Sequence, residues 1–245
     1  DDVARYEEET VEIPDYPVNL FFTKEGYFKK ITPQSLRMSG EQKLKDGDEI
    51  IQELEFTNNC DLLFFTDKCQ VYKAKADDFA QTKASVLGDY VAARLGFDEG
   101  ENAVKMVVTK DYKGMLLFAF ENGKAAKVPL ESYATKTNRK KLTGAYSDKS
   151  PLVGLLYMPE DEEVLFKASS GNMLLVHTGA LALKTTRSTQ GVAVLKPNKG
   201  HRLFSIERYK DGTFTNPNRY RTGSLPARGA LPVNDDSKDE QLSLI

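Results

Sequence analysis

Four stretches of the chain repeat one pattern at nearly constant spacing, and this repeat constrains the fold more than any other feature of the sequence. They cover residues 20–31, 63–74, 117–128 and 165–176, and each reads as an apolar run, a short polar turn and a second β-rich run. Aligned on the turn, the equivalent residues are Gly26, Cys69, Gly123 and Gly171, which lie 43, 54 and 48 residues apart. A tight reversal needs a positive φ, which glycine supplies without a Cβ clash, so three of the turns read as β-hairpins. Cys69 lacks that freedom, which predicts a turn of different build. A looser fifth unit follows at 191–195 and 202–206, joined by the polar stretch 196–201.

A lone hairpin cannot cover its own apolar face. Repeated units of this length therefore stack around a centre and leave their loops and outer strands on a rim. The expectation is an all-β, propeller-like disc of about five four-stranded blades over residues 17–209. A β-sandwich with coincidentally similar strands is the alternative. The 86–95 stretch has one helical spacing set but carries Gly88, which predicts no more than a short connecting element.

Charge divides the chain into three parts. Residues 1–16 hold seven acids against Arg5 and form an acidic leader. Residues 210–245 hold five acids and five bases, with Pro217, Pro226 and Pro232, and read as a tail that is partly disordered or strapped over the surface. Residues 17–209 keep 28 bases and 24 acids, so only this body favours a polyanion. No apolar run approaches the roughly 18 residues that cross a bilayer as a helix, and the acidic start is unlike a secretory signal, so no membrane partner is expected. Two cysteines in 245 residues make no disulfide framework, and the expected location is the cytoplasm with free thiols. The chain opens on Asp1 without an initiator Met, which suggests a piece of a longer polypeptide.

The residues offer little for catalysis. His177 and His201 fall in different repeat units, neither at metal-ligand spacing, and each reads as structural or phosphate-facing. There is no phosphate-binding glycine loop, no dinucleotide fingerprint and no nucleophile elbow. Asp161-Glu162-Glu163 reads as a solvated loop. No cofactor is expected.

The bases are more informative because they recur. Four residues past the turn stand Lys30, Lys73 and Lys127, each near a strand end where its stem can lie over apolar surface while the ammonium reaches water. Ordinary edge lysines, which also discourage strand pairing, would look the same. The following loops add Arg37, Lys43 and Lys45 in 37–47, and Arg139, Lys140 and Lys141 beside Lys136. The last segments add Lys184, Arg187, Lys196, Lys199 and Arg202. Such clusters on successive blades predict a positive arc that holds duplex DNA through its phosphates, with salt-sensitive affinity; the alternative is a propeller-type protein-interaction platform without DNA binding. No basic run interleaved with aromatics argues for single strands.

At this point the sequence resembles a known family. The run Thr23-Lys24-Glu25-Gly26-Tyr27-Phe28-Lys29-Lys30 is similar to the opening blade motif of the C-terminal domain of bacterial type IIA topoisomerase A subunits. Ser188-Thr189-Gln190-Gly191-Val192, followed by Lys199-Gly200-His201-Arg202-Leu203, resembles its closing blade. The likeness covers roughly residues 17–209. It implies a β-pinwheel whose blades exchange strands with their neighbours and whose basic edge binds and bends DNA. It also implies that catalysis, by a tyrosine on another domain, is absent here. The partners it implies are duplex DNA, a B subunit of the enzyme, and the other domains of the A chain. The gyrase branch carries a basic seven-residue box with paired glycines after its first blade. In 37–47 of this chain Glu41 and Asp46 interrupt the bases and no paired glycines occur. The resemblance is therefore closer to the topoisomerase IV branch, or to a gyrase-like paralogue with a degenerate box, which implies bending of the transported duplex without chiral wrapping.

Overall fold

Strand exchange organises the chain: the outermost strand of a sheet is supplied by chain that has already passed through the next hairpin. The computed structural model describes residues 12–135 and 139–237. They form two compact units, one holding the chain up to Thr66 together with Tyr72–Lys110, the other holding Asp67–Val71 and the chain from Asp111 onward. The acidic leader lies largely, and Lys136 wholly, outside the described residues.

In the first unit, β1 (Pro17–Thr23) and β2 (Tyr27–Ile31) form the first hairpin, followed by helix α1 (Pro33–Met38) and β3 (Ile50–Thr57). The second hairpin is β4 (Asp61–Thr66) with β5 (Val71–Lys75), followed by β6 (Asp89–Tyr90), helix α2 (Val91–Arg94) and β7 (Ala103–Thr109). One sheet has the order β3-β1-β2-β6, the other runs β5-β4-β7. Thus β6, which follows the second hairpin in sequence, pairs with β2 of the first, Tyr27 opposite Tyr90. The contiguous runs Leu20-Phe21-Phe22 and Leu62-Leu63-Phe64-Phe65 are buried throughout, because both faces of these strands are covered. Phe22, Phe28, Phe64 and Phe79 belong to one core cluster.

The second unit contains β8 (Met115–Phe120), β9 (Lys124–Pro129), β10 (Lys141–Leu142), β11 (Leu152–Met158), β12 (Glu163–Ala168), β13 (Met173–His177), β14 (Val192–Ala193) and β15 (Leu203–Arg208). Its sheets have the orders β11-β8-β9-β14 and β13-β12-β15. Here β14 comes after the β12–β13 hairpin in sequence but pairs with β9, Val192 opposite Ala125. The fifth repeat unit is thereby corrected. Its first run is β14 of one sheet and its second run is β15 of another, so the described residues hold four sheets rather than five. The runs lack a hairpin turn of their own, and each finds its partner in a different repeat.

Two local features recur in every repeat. Cys69 adopts φ 55°, the same left-handed conformation as Gly26, Gly123 and Gly171, so its turn is not built differently but is held there at some strain. Each sheet also carries a β-bulge opposite its hairpin turn. The pairings Phe22 with Gln52 and Thr23 with Ile50 leave Ile51 as the extra residue. By the same count Val104, Val153 and Phe204 are the extra residues of the other three sheets. Ile51, Val104 and Phe204 are consequently among the exposed large apolar side chains.

The chain beyond residue 209 packs on the second unit. Phe214 and Tyr220 are buried with Leu165, Met173 and Leu175. Arg221 grips both carboxylate oxygens of Glu163 at 2.7 Å, and Ala230 bridges to Met173 as an outer strand would. In 86–95 the short helix α2 forms only after Gly88. A Cβ there would fall 2.4 Å from the Phe28 carbonyl oxygen, so only glycine lets the connector approach β2.

Candidate nucleic-acid interface

Backbone position alone does not decide what a lysine does; the partners of its ammonium do. Lys30 is 2% exposed. Its Nζ donates to Asn58 Oδ1 at 2.7 Å and to the Ala76 carbonyl at 2.9 Å, at the start of the 3-10 turn that follows β5. Lys127 is 5% exposed and makes the equivalent pair in the second unit. Its Nζ donates to Asp161 Oδ1 at 2.9 Å and to the Thr178 carbonyl at 3.0 Å, at the start of the 3-10 turn that follows β13. The expectation that these ammonium groups reach water is therefore corrected. Each latches a strand to the turn closing the next hairpin within its unit, where an unbonded carbonyl would be costly. Lys73 is half-buried, and burial lowers its pKa against the opposing pull of Asp61.

Lys29 has no counterpart in the expectations. It is 1% exposed, and its Nζ donates to Gln42 Oε1 at 2.8 Å, to the Lys43 carbonyl at 2.9 Å and to the Ala84 carbonyl at 3.0 Å. Burial pushes this ammonium below the usual lysine range. One buried cation thus gathers the 37–47 loop and the connector leading to β6, and the Lys43 backbone N–H completes the junction by donating to the Ala84 carbonyl. Nothing in its spacing marked Lys29, since the equivalent residues of the other repeats are Tyr72, Ala126 and Leu174.

The exposed bases lie on connectors instead. In the first unit Arg37, in the last turn of α1, and Lys43 and Lys45 beyond it are all exposed, as is Lys83 on the connector to β6. In the second unit Arg139, Lys140 and Lys141 are exposed around the start of β10, and Lys199 is exposed as well. Lys184 is half-buried, its backbone N–H bonded to the Lys127 carbonyl. Arg187 is half-buried, its Nη1 donating to the Ser132 carbonyl at 3.0 Å. Arg202 lies 3.7 Å from Glu121, and exposed Arg228 donates to Asn198 Oδ1. Lys83 and Arg228 went unremarked in the sequence, although both precede the positive-φ glycines, Gly88 and Gly229, that introduce outer-strand pairing.

The remaining candidates do not assemble a catalytic centre. His177 Nδ1 accepts the Gly179 backbone N–H, and His201 Nδ1 sits 3.1 Å from Ser169 Oγ. Among the described residues no three His, Cys, Asp or Glu side chains converge as metal ligands, and no helix is long and apolar enough to cross a membrane. Cys60 is buried, and desolvation pushes its thiol up to about 12, which leaves it inert.

No family model matches the chain. It is 27% identical over 171 residues to the A subunit of DNA gyrase from Mycobacterium tuberculosis (strain CDC 1551 / Oshkosh), a match covering 68% of this chain and 20% of that protein. It is 25% identical over 177 residues to the A subunit of DNA topoisomerase 4 from Staphylococcus epidermidis (strain ATCC 12228 / FDA PCI 1200), covering 70% and 22%. The chain thus spans about a fifth of the length of these relatives. Among solved structures, the C-terminal domain of DNA topoisomerase IV superposes with a TM-score of 0.70 at 23% identity, covering 82% of this chain and 64% of that one. The E. coli ParC C-terminal domain gives 0.59 at 14% identity, covering 78% of each chain. In sequence the chain is thus similar to the A subunits of gyrase and topoisomerase IV, and in fold it is the all-β pinwheel of their C-terminal domains.

Proposed function

We propose that this chain is a non-catalytic DNA-binding domain of a type IIA topoisomerase A subunit. It binds and bends duplex DNA without sequence preference and so helps the parent enzyme, completed by a B subunit, choose among DNA topologies. The observation that carries the reading is the division of the bases into two classes. Those at the repeated strand position, Lys30 and Lys127, are spent inside the fold. Those on the connectors, Arg37, Lys43, Lys45, Arg139, Lys140 and Lys199 among them, are exposed. Bases on exposed connectors meet phosphates without desolvating a core, and they carry no base-reading geometry, which suits contact with the DNA backbone alone. The kinship with gyrase and topoisomerase IV A subunits supports the same reading.

The test is a duplex of about 40 base pairs carrying an end-to-end fluorescence pair, titrated at low and physiological salt. The expected result is binding that weakens steeply with salt while the duplex ends draw together. No binding at low salt would replace this reading with that of a protein-interaction platform.

A further inference from the structure

The second unit holds a cleft of about 490 Å³, lined by Ser132, Thr143, Gly144 and residues 185–188. Its chemistry is uniform. Five of the seven lining residues, Ser132, Thr143, Thr185, Thr186 and Ser188, carry hydroxyls, the one charged residue among the seven is Arg187, and none of them carries a carboxylate. Arg187 is half-buried and held from behind, since Nη1 donates to the Ser132 carbonyl at 3.0 Å while Ser132 Oγ donates to the Thr185 carbonyl at 3.4 Å. The guanidinium therefore arrives in a fixed orientation, unlike the exposed side chains of Arg139 and Lys140 on the segment entering β10. Next in sequence to Ser132, Tyr133 is fully buried, with its hydroxyl donating to the Ala145 carbonyl at 2.6 Å, which ties the segment carrying Ser132 to the core.

We propose that this cleft is a seat for one phosphate group, gripped by the fork of Arg187 and by the hydroxyls of residues 185–188, and that its ligand is a backbone phosphodiester of duplex DNA. The proposal rests on the DNA-binding reading and adds to it a fixed point of attachment among otherwise diffuse contacts. A planar fork and several hydroxyl donors match the tetrahedral oxygens of a phosphate, whereas a lysine offers only a point charge.

The experiment compares Arg187→Lys and Arg187→Gln with the parent chain in duplex titrations across salt, alongside backbone amide shifts of residues 185–188 on adding inorganic phosphate or duplex. The expected result is that Arg187→Lys weakens duplex binding about tenfold while keeping the parent salt slope, because the charge remains and the fork is lost. Arg187→Gln should weaken binding at least as much and flatten the slope by about one unit. Ser188→Ala, which leaves Arg187 and its anchor in place, should lose affinity in the same direction and guards against a folding defect. Parent-like affinity for Arg187→Lys would overturn the seat while leaving DNA binding intact. If the parent binds no duplex, the DNA reading itself fails. Phosphate-induced amide shifts that vanish in Arg187→Gln would then assign the seat to a free phosphorylated ligand, and their absence would remove the seat as well.

Discussion

Replacing Lys127 by Met tests whether the recurring lysine belongs to the fold or to the DNA. Methionine keeps an unbranched stem of similar reach, so the change removes the ammonium and little packing. Two bonds disappear, those to Asp161 Oδ1 and to the Thr178 carbonyl, at a site where the lysine side chain is 6% exposed. Breaking a buried ion pair by deleting one partner costs about 3–5 kcal/mol when the other charge is stranded. Asp161 is not fully stranded. Its side chain is 35% exposed and keeps the bond from Thr178 Oγ1 at 2.8 Å, so the expected loss lies at about 2–3 kcal/mol, most of it from the Thr178 carbonyl and the half-satisfied carboxylate. Urea titration of the parent and the variant measures this loss, and duplex binding is measured where both remain folded. The expected outcome is a clear stability loss with duplex affinity changed less than about twofold. Unchanged stability together with about tenfold weaker, less salt-sensitive binding would refute the latch and return Lys127 to the phosphate contacts.

The same pair predicts a pH dependence. The Lys127 ammonium, followed by the Thr178 hydroxyl, holds the Asp161 carboxyl below its ordinary range, so the contribution to stability is complete above about pH 4 and fades as pH falls through the folded-state pKa; an Asp161→Asn variant should show a shallower acid limb in thermal melts. Neutralising Arg139, Lys140 and Lys141 together should weaken binding to all duplex sequences alike and flatten the salt slope by about 2–3 units, and an unchanged slope removes that segment from the interface. Lys29→Met strips three bonds from a buried junction and should cost about 2–4 kcal/mol in urea unfolding, with faster proteolysis of the 37–47 loop; cleavage at the parent rate would show that the loop is held by other contacts. Cys69→Gly relieves a left-handed non-glycine residue and should raise stability by up to about 1 kcal/mol after glycine's own entropic cost; a loss would mean that the Cys69 Sγ contact with the Ser147 carbonyl outweighs the strain.

The hairpins, their spacing and the all-β class were legible in the sequence because they rest on local physics: contiguous apolar runs on either side of residues that reach positive φ. The exposed bases on the connectors were legible too, since a cluster of charges with few acids nearby has no other place than the surface. Sequence could not tell which strand pairs with which sheet, because β14 and β15 are near neighbours in the chain that join different sheets. Nor could it separate Lys30 and Lys127, bonded within the fold, from Lys43 and Lys45, exposed to solvent, since all four are lysines beside apolar residues. The carbonyls of Ala76 and Thr178 that decide the matter lie 46 and 51 residues away along the chain. A side chain's role follows from the partners that non-local pairing brings to its tip. Periodicity set this chain's elements, whereas strand exchange between successive repeats decided which of its charges were left for a ligand.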